Sequence, residues 1–276
     1  MRLLVLEGNS LAGRRRIAET AGATPGESYA ALLRKLAPNA AVDIHAGADQ
    51  GAVLPGPLEG YDGMAVTGSS LNIYQREPES TRQIDFLKEV FGRGIPVFGS
   101  CWGLQLAAVA AGGDVQLNPA GREVAFARKI ILTSAGRRHP MHAGRSEAFD
   151  APAIHSDIVT RLPANTVVTA SNGNSEVQAA EIRFGKGVFW GVQYHPEYGL
   201  HDIAAVIRRY GQILVNEGFF AELADLQRYA ADLATLGAEP ERRDIAWRLG
   251  LDEDIVSSET RQTELKNWVD FIKRRA

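Results

Sequence analysis

One thiol, one imidazole and one carboxylate stand in this sequence where they could act as nucleophile, base and orienting group. Cys101 is the single cysteine among 276 residues. It lies in Val97-Phe98-Gly99-Ser100-Cys101-Trp102-Gly103-Leu104-Gln105, where an apolar run passes through small residues into a helix-like stretch. The pattern predicts a nucleophile elbow, a tight turn between a buried strand and a helix. Such a turn holds the thiol clear of its own backbone and over a helix N-terminus, which favours the thiolate. Gly99 and Gly103 suit a turn packed so close to neighbouring backbone that a Cβ has no room. A second apolar run, Gly187-Val188-Phe189-Trp190-Gly191-Val192-Gln193, delivers Tyr194-His195-Pro196-Glu197. A cysteine nucleophile needs a base to hold its proton, and the base needs a third group to fix its tautomer and orientation. His195 is the candidate base. With Pro196 stiffening the link, Glu197 can fold back onto the imidazole.

The elements that must position these residues are legible from hydrophobic patterning. Leu3 to Leu6, Val42 to Ile44, Met64 to Val66 and Val97 to Phe98 are short apolar or β-branched runs. They alternate with helical spacing over Tyr29 to Leu36, Ile84 to Phe91 and Leu104 to Ala111. Repeated βα units predict an α/β fold, a doubly wound and mostly parallel sheet with flanking helices. Reactive residues of such sheets gather outside the carboxyl ends of the strands, where both candidate motifs fall. Between residues 113 and 193 the pattern turns strand-rich, with runs at Val124 to Leu132, Thr166 to Ser171, Val177 to Phe184 and Val188 to Gln193. Apolar positions from Ile203 to Leu214 predict one helix over His201 to Asn216 that closes this unit. Residues 1–218 are therefore expected to form the catalytic domain. Residues 219–276 are expected to form a helical C-terminal extension packed on it, with apolar stripes at Leu223, Leu226, Tyr229, Leu233 and Leu236, at Ile245, Leu249 and Leu251, and at Leu265, Trp268, Val269, Phe271 and Ile272. A homodimer contact or a cover over the active site is the alternative role for these helices.

Taken together, the motifs resemble those of the class I, triad-type glutamine amidotransferases over roughly residues 1 to 215. The Gly-x-Cys-x-Gly-x-Gln pattern of that family appears as Gly99, Cys101, Gly103 and Gln105. Its Gln-Phe-His-Pro-Glu pattern appears as Gln193-Tyr194-His195-Pro196-Glu197, with one tyrosine for phenylalanine. Gly63 to Tyr74 corresponds to the strand and glycine turn that supply an oxyanion hole, although Gly68-Ser69-Ser70 stands where many members carry Gly-Gly-Pro. The resemblance implies attack of the Cys101 thiolate on the glutamine side-chain amide, proton delivery by His195 to the departing ammonia, and a γ-glutamyl thioester released by water. Main-chain amides near Gly68 or Ser69 and that of Trp102 would meet the oxyanion. It also implies that Gln105 helps bind glutamine, beside a turn formed by His155-Ser156-Asp157. Ala153-Ile154-His155-Ser156-Asp157 and the spacing of the motifs are similar to the amidotransferase half of guanosine monophosphate synthetase.

Members of this class usually hand ammonia to a synthetase domain or partner subunit, and no nucleotide-binding signature occurs here. An ammonia-accepting partner is one expectation. A γ-glutamyl hydrolase or peptidase on the same scaffold is the alternative, and a catalytically silent regulatory protein a third. A net charge of −3, from 30 Lys and Arg against 33 Asp and Glu, gives no electrostatic case for nucleic acid or an anionic membrane. Arg14-Arg15-Arg16 and Lys273-Arg274-Arg275 are read as solvated helix faces or ends. His139-Pro140-Met141-His142 is read as a mobile polar loop rather than a metal site, because no further ligands stand at metal spacing. No metal or cofactor is expected. Met1 to Glu7 is too short for a signal-peptide core, no apolar stretch approaches a membrane span, and a lone thiol suits a reducing compartment, so a cytoplasmic location is expected.

Overall fold

The computed structural model describes residues 1–275, so Ala276, the last residue of the expected extension, lies outside it. In chain order the elements are β1 (Arg2–Leu6), α1 (Leu11–Ala21), α2 (Pro25–Leu36), β2 (Ala41–His45), β3 (Gly63–Val66), α3 (Pro78–Arg93), β4 (Val97–Ser100) and α4 (Trp102–Ala110). There follow β5 (Asp114–Leu117), β6 (Glu123–Leu132), β7 (Ala148–His155), β8 (Asp157–Arg161), β9 (Thr166–Ser171), β10 (Ala179–Phe184) and β11 (Gly187–Val192). The rest is helical: α5 (Leu200–Tyr210), α6 (Gln212–Asn216), α7 (Leu223–Ala238), α8 (Arg243–Leu249), α9 (Glu253–Val256), α10 (Ser258–Arg261) and α11 (Thr263–Lys273).

Local chemistry starts and stops these elements. Thr24 and Glu27 form a reciprocal capping box around Pro25, the first residue of α2. Ser10 caps α1, which ends at Gly22 in the left-handed conformation. Nine strands form one sheet in the order β2-β1-β3-β4-β11-β10-β9-β6-β7, and β5 and β8 pair separately. From β2 through β11 the neighbours run parallel. From β11 to β7 they run antiparallel, which accounts for the strand-rich pattern of the second half.

Because side chains alternate across a strand, the inner parallel strands β1, β3 and β4 bury apolar side chains on both faces. Leu4, Leu6, Met64, Val66 and Phe189 face α3 and α4 through Leu87, Phe91, Leu104 and Leu106. Leu3, Val5, Ala65, Phe98 and Trp190 face α2 and α11 through Tyr29, Leu33, Leu265 and Trp268. A third cluster joins α5, α7 and α8 around Ile203, Ile207, Leu226, Leu233 and Ile245. The doubly wound α/β expectation is met, with α11 of the C-terminal stretch in the core of the parallel sheet.

Three expectations are corrected. The helix expected over residues 201–216 breaks at Gly211, whose φ of 44° and ψ of −114° no helix accommodates. Segment 139–142 is not a polar loop free in solvent. His142 is buried between Glu264 and Thr169, and His139 bonds Glu181 at 3.0 Å. Arg14 is not simply solvated either, since it pairs with Asp49 and donates to the Asn9 carbonyl at 2.8 Å.

Candidate active site

Strand order brings the candidate residues to one edge. β1, β3, β4 and β11 are neighbours running the same way, so the segments beginning at Glu7, Thr67, Cys101 and Gln193 all leave the sheet at the same end. Ser100 lies opposite Val192, and the Cys101 N–H donates to the Val192 carbonyl at 2.8 Å. Cys101 adopts φ 50° and ψ −99°, a conformation that costs a non-glycine residue on the order of 1–3 kcal/mol and is held by the surrounding packing. A Cβ on Gly99 would stand 2.8 Å from the Gly103 backbone, and one on Gly103 3.1 Å from Val66. The elbow therefore has no room for a Cβ at Gly99 and little at Gly103.

His195 is buried and its Nδ1 donates to Glu197 Oε1 at 2.7 Å. The Tyr198 ring stacks on the imidazole, centroids 4.1 Å apart and planes within 2°. Burial lowers the pKa of His195, but the Glu197 carboxylate with its hydrogen bond to the ring, and the nearby Cys101 side chain, override it and raise it to about 10. The shift favours the protonated ring in the cleft it shares with Cys101. Gln193 Nε2 points at Cys101 Sγ from 3.5 Å, a donor suited to a thiolate.

Gly68 lies against the imidazole so closely that a Cβ there would fall 2.6 Å from His195 Cε1. Neither Gly68, Ser69 nor Trp102 donates its backbone N–H to another group among the described residues. Those amides remain available to a developing oxyanion. The Trp102 side chain is elsewhere, buried with its indole N–H on Gln83 Oε1 at 3.0 Å. Gln83 in turn donates to the Gly8 carbonyl at 3.0 Å.

Two spaces meet at the thiol. A cleft of about 260 Å³ holds Cys101, His195, Gly68 and Ser69, with Arg16 and Ile17 from α1 and Arg209, Tyr210 and Ile213 around the Gly211 break. A cavity of about 50 Å³ shares Cys101 and Ser69 and adds Gln105, Arg122, His155, Ser156 and Asp157. Of the site residues singled out from sequence, all but Glu197 and Trp102 line these two spaces; Glu197 holds His195 by its hydrogen bond and Trp102 follows Cys101 in the chain. Gln105 is buried, its Nε2 donating to the Asp157 carbonyl at 3.0 Å. His155 Nε2 meets Glu123 Oε2 at 2.8 Å, and Asn72 donates to the Asp157 carboxylate at 2.7 Å.

Sequence reasoning missed the support under the glycine turn. Glu7, 1 % exposed, accepts from the Asn9 N–H and side-chain amide at 3.0 and 3.1 Å and from the Gly26 N–H at 2.6 Å. Asn9 then donates to the Gly68 carbonyl and accepts from the Ser70 N–H, both at 3.0 Å. Burial raises the Glu7 pKa against the pull of these donors. Glu7-Gly8-Asn9 follows an apolar strand, which is the signal that could have found them.

With this geometry in hand, similarity to known proteins is informative. The model of the class-I glutamine amidotransferase family matches residues 39–208. A γ-glutamyl-L-1-hydroxyisopropylamide hydrolase from a Pseudomonas species is 39% identical over 277 residues, covering 99% of this chain and 93% of that protein. The glutamine-hydrolysing GMP synthase of Chlorobium phaeovibrioides is 36% identical over 110 residues, 39% of this chain but 21% of that much longer enzyme. Among solved structures, a Thermotoga maritima glutamine amidotransferase superposes with a TM-score of 0.68 at 19% identity over 98% of both chains, a likeness of fold. Among the described residues no helix is long and apolar enough to cross a membrane. On the family match and the full-length relative together, the chain belongs to the class-I glutamine amidotransferase family.

Proposed function

We propose that the protein cleaves the side-chain amide of γ-glutamyl compounds, glutamine among them, through a γ-glutamyl thioester on Cys101. The carrying observation is the Glu197–His195 hydrogen bond of 2.7 Å, with the imidazole sharing one cleft with Cys101 on its strained elbow. In this reading the Cys101 proton resides on His195, and the thiolate so formed attacks the γ-carbonyl carbon with formation of a C–S bond. The carbonyl electrons move onto oxygen, where the amides of Gly68 or Ser69 and of Trp102 receive them. Losing one such donor typically costs about 2.7–4 kcal/mol. The tetrahedral intermediate collapses with cleavage of the C–N bond, and the amine nitrogen takes the His195 proton. The imidazole, now neutral, accepts a proton from water, whose oxygen attacks the thioester and releases glutamate and the thiolate. Glu197 holds the ring throughout. Gln105 and the His155-Ser156-Asp157 turn, lining the smaller cavity, are assigned to the γ-glutamyl moiety.

Water as the final acceptor is supported by the full-length similarity to a γ-glutamylamide hydrolase. A second reading, transfer of ammonia from glutamine to a synthetase partner, is supported by the stretch shared with GMP synthases. Glutamate release from glutamine and from N-substituted γ-glutamylamides, with Cys101→Ala as control, tests both. Turnover by the purified protein alone, lost in the control, supports hydrolysis. Turnover of glutamine only after a partner is added supports transfer. Equal activity in the control refutes the thiol mechanism.

A further inference from the structure

The two spaces at Cys101 are not equivalent, because His195 borders only the larger one. His195 is the group that protonates the leaving nitrogen in the mechanism above, so the amine must depart into the cleft of about 260 Å³ and the γ-glutamyl part must occupy the side of Gln105 and Asp157. Ammonia needs about the space of one water, roughly 30 Å³ in the liquid. The cleft has room beyond that for a substituent on the amide nitrogen.

The cleft walls indicate what that substituent carries. Ile17 and Ile213 offer apolar surface, and Arg16 and Arg209 bring two guanidinium groups to the same opening. Neither arginine has a carboxylate within 4.0 Å among the described residues, and the recorded side-chain contact of Arg209 is a 3.4 Å bond to Thr20 Oγ1. Two acids line a neighbouring space together with Arg209 and are otherwise engaged, Glu197 with His195 and Asp202 with the Gly199 N–H at 2.7 Å. A guanidinium matches a carboxylate in charge and fork geometry, and the contact strengthens as water is displaced. We propose that the substrates are γ-glutamyl amides whose leaving amine bears a carboxylate, that is, γ-glutamyl amino acids, with Arg16 and Arg209 as the specificity determinants. This rests on the hydrolase reading. Thiolate attack breaks the γ-glutamyl C–N bond and the amino acid leaves with the His195 proton on its nitrogen, its carboxylate between the two arginines.

The test compares kcat/KM for γ-glutamylglycine, γ-glutamylethylamide and glutamine in the wild type and in Arg16→Gln, Arg209→Gln and the double variant. The wild type is expected to prefer γ-glutamylglycine over the ethylamide by about tenfold or more, mostly through KM, and the double variant to lose that preference. Arg16 is exposed, so its single variant keeps the test meaningful should Arg209→Gln fold poorly. Equal or better cleavage of the ethylamide by the wild type, or a preference for γ-glutamylglycine unchanged by removing the arginines, overturns the inference and leaves the hydrolase intact. Failure to cleave any of the three overturns the hydrolase reading and the inference with it.

Discussion

At the scale of residues, the site works by opposing burial with charge. His195 has almost no solvent, which alone would strip its proton, yet Glu197 and Cys101 hold it charged to a pH of about 10. A group whose folded pKa is raised stabilises the fold fully below its unfolded value near 6.5 and loses that contribution as pH rises through about 10. Amide cleavage is accordingly expected to fall as pH passes about 10, when the proton for the leaving nitrogen is lost, and a kcat/KM profile checks this. Glu197→Gln keeps a side chain of the same shape but removes the charge. Its kcat/KM is expected to drop roughly a hundredfold or more, with the high-pH limb moved to lower pH. Cys101, His195 and Glu197 were legible in the sequence because each sits in a short motif ending an apolar run. Glu7 and Asn9 also follow an apolar run, but their role was not readable from it, because the partner that gives Asn9 its purpose, Gly68, is 59 positions away. Tyr198 was equally silent, since an aromatic residue three positions past a histidine has no distinctive spacing.

At the scale of elements, the glycine turn after β3 is the most constrained piece. Gly68→Ala places a methyl group 2.6 Å from the His195 ring, so the turn or the imidazole must shift. Activity is expected to fall by about two orders of magnitude, in line with the loss of one oxyanion donor or of base alignment. Asn9→Ala removes the side chain that ties this turn to β1. It is expected to lower kcat/KM while costing about 1–3 kcal/mol of stability through the polar groups left unpaired, which urea denaturation reads directly. The parallel strands were legible as short apolar runs, broken in β2 by Asp43. β7 was not, since Asp150 and Pro152 break the run in Ala148–His155. The strand tolerates proline because it lies at the end of the sheet, where one side of its backbone has no partner strand. The apolar spacing through residue 214 likewise concealed the break at Gly211, because periodicity reports which face is buried and not whether the backbone turns within it.

At the scale of the whole molecule, the C-terminal helices reach the strands that carry the chemistry. Trp268 packs on Phe98, three residues before Cys101, with ring centroids 6.0 Å apart. Glu264 holds Arg145 through bonds of 2.9 and 2.7 Å, and Arg145 lies 4.5 Å over the ring of Phe149, which meets Tyr194 edge-on beside His195. The division we propose at residue 218 is therefore one of sequence, with α11 completing the core. Trp268→Ala is expected to cost about 3–5 kcal/mol, and removing residues 219–276 to prevent folding, as circular dichroism would show. Burial alone would raise the Glu264 pKa, yet Arg145 and His142 hold it down at about 2. A depressed carboxylate stabilises the fold above its unfolded value near 4.5, and that contribution is lost as pH falls from there through about 2. Glu264→Gln should flatten this acid limb of stability. The apolar stripes of the extension were readable, but the Arg145–Glu264 pair, 119 positions apart, was not. The central claim, covalent catalysis at the elbow, is tested most directly by acid-quenching the protein during turnover of a γ-glutamyl amide and analysing its peptides by mass spectrometry. A γ-glutamyl adduct on the peptide carrying Cys101, absent in Cys101→Ala, is the predicted result. Steady turnover with no adduct, undiminished in Cys101→Ala, would contradict it.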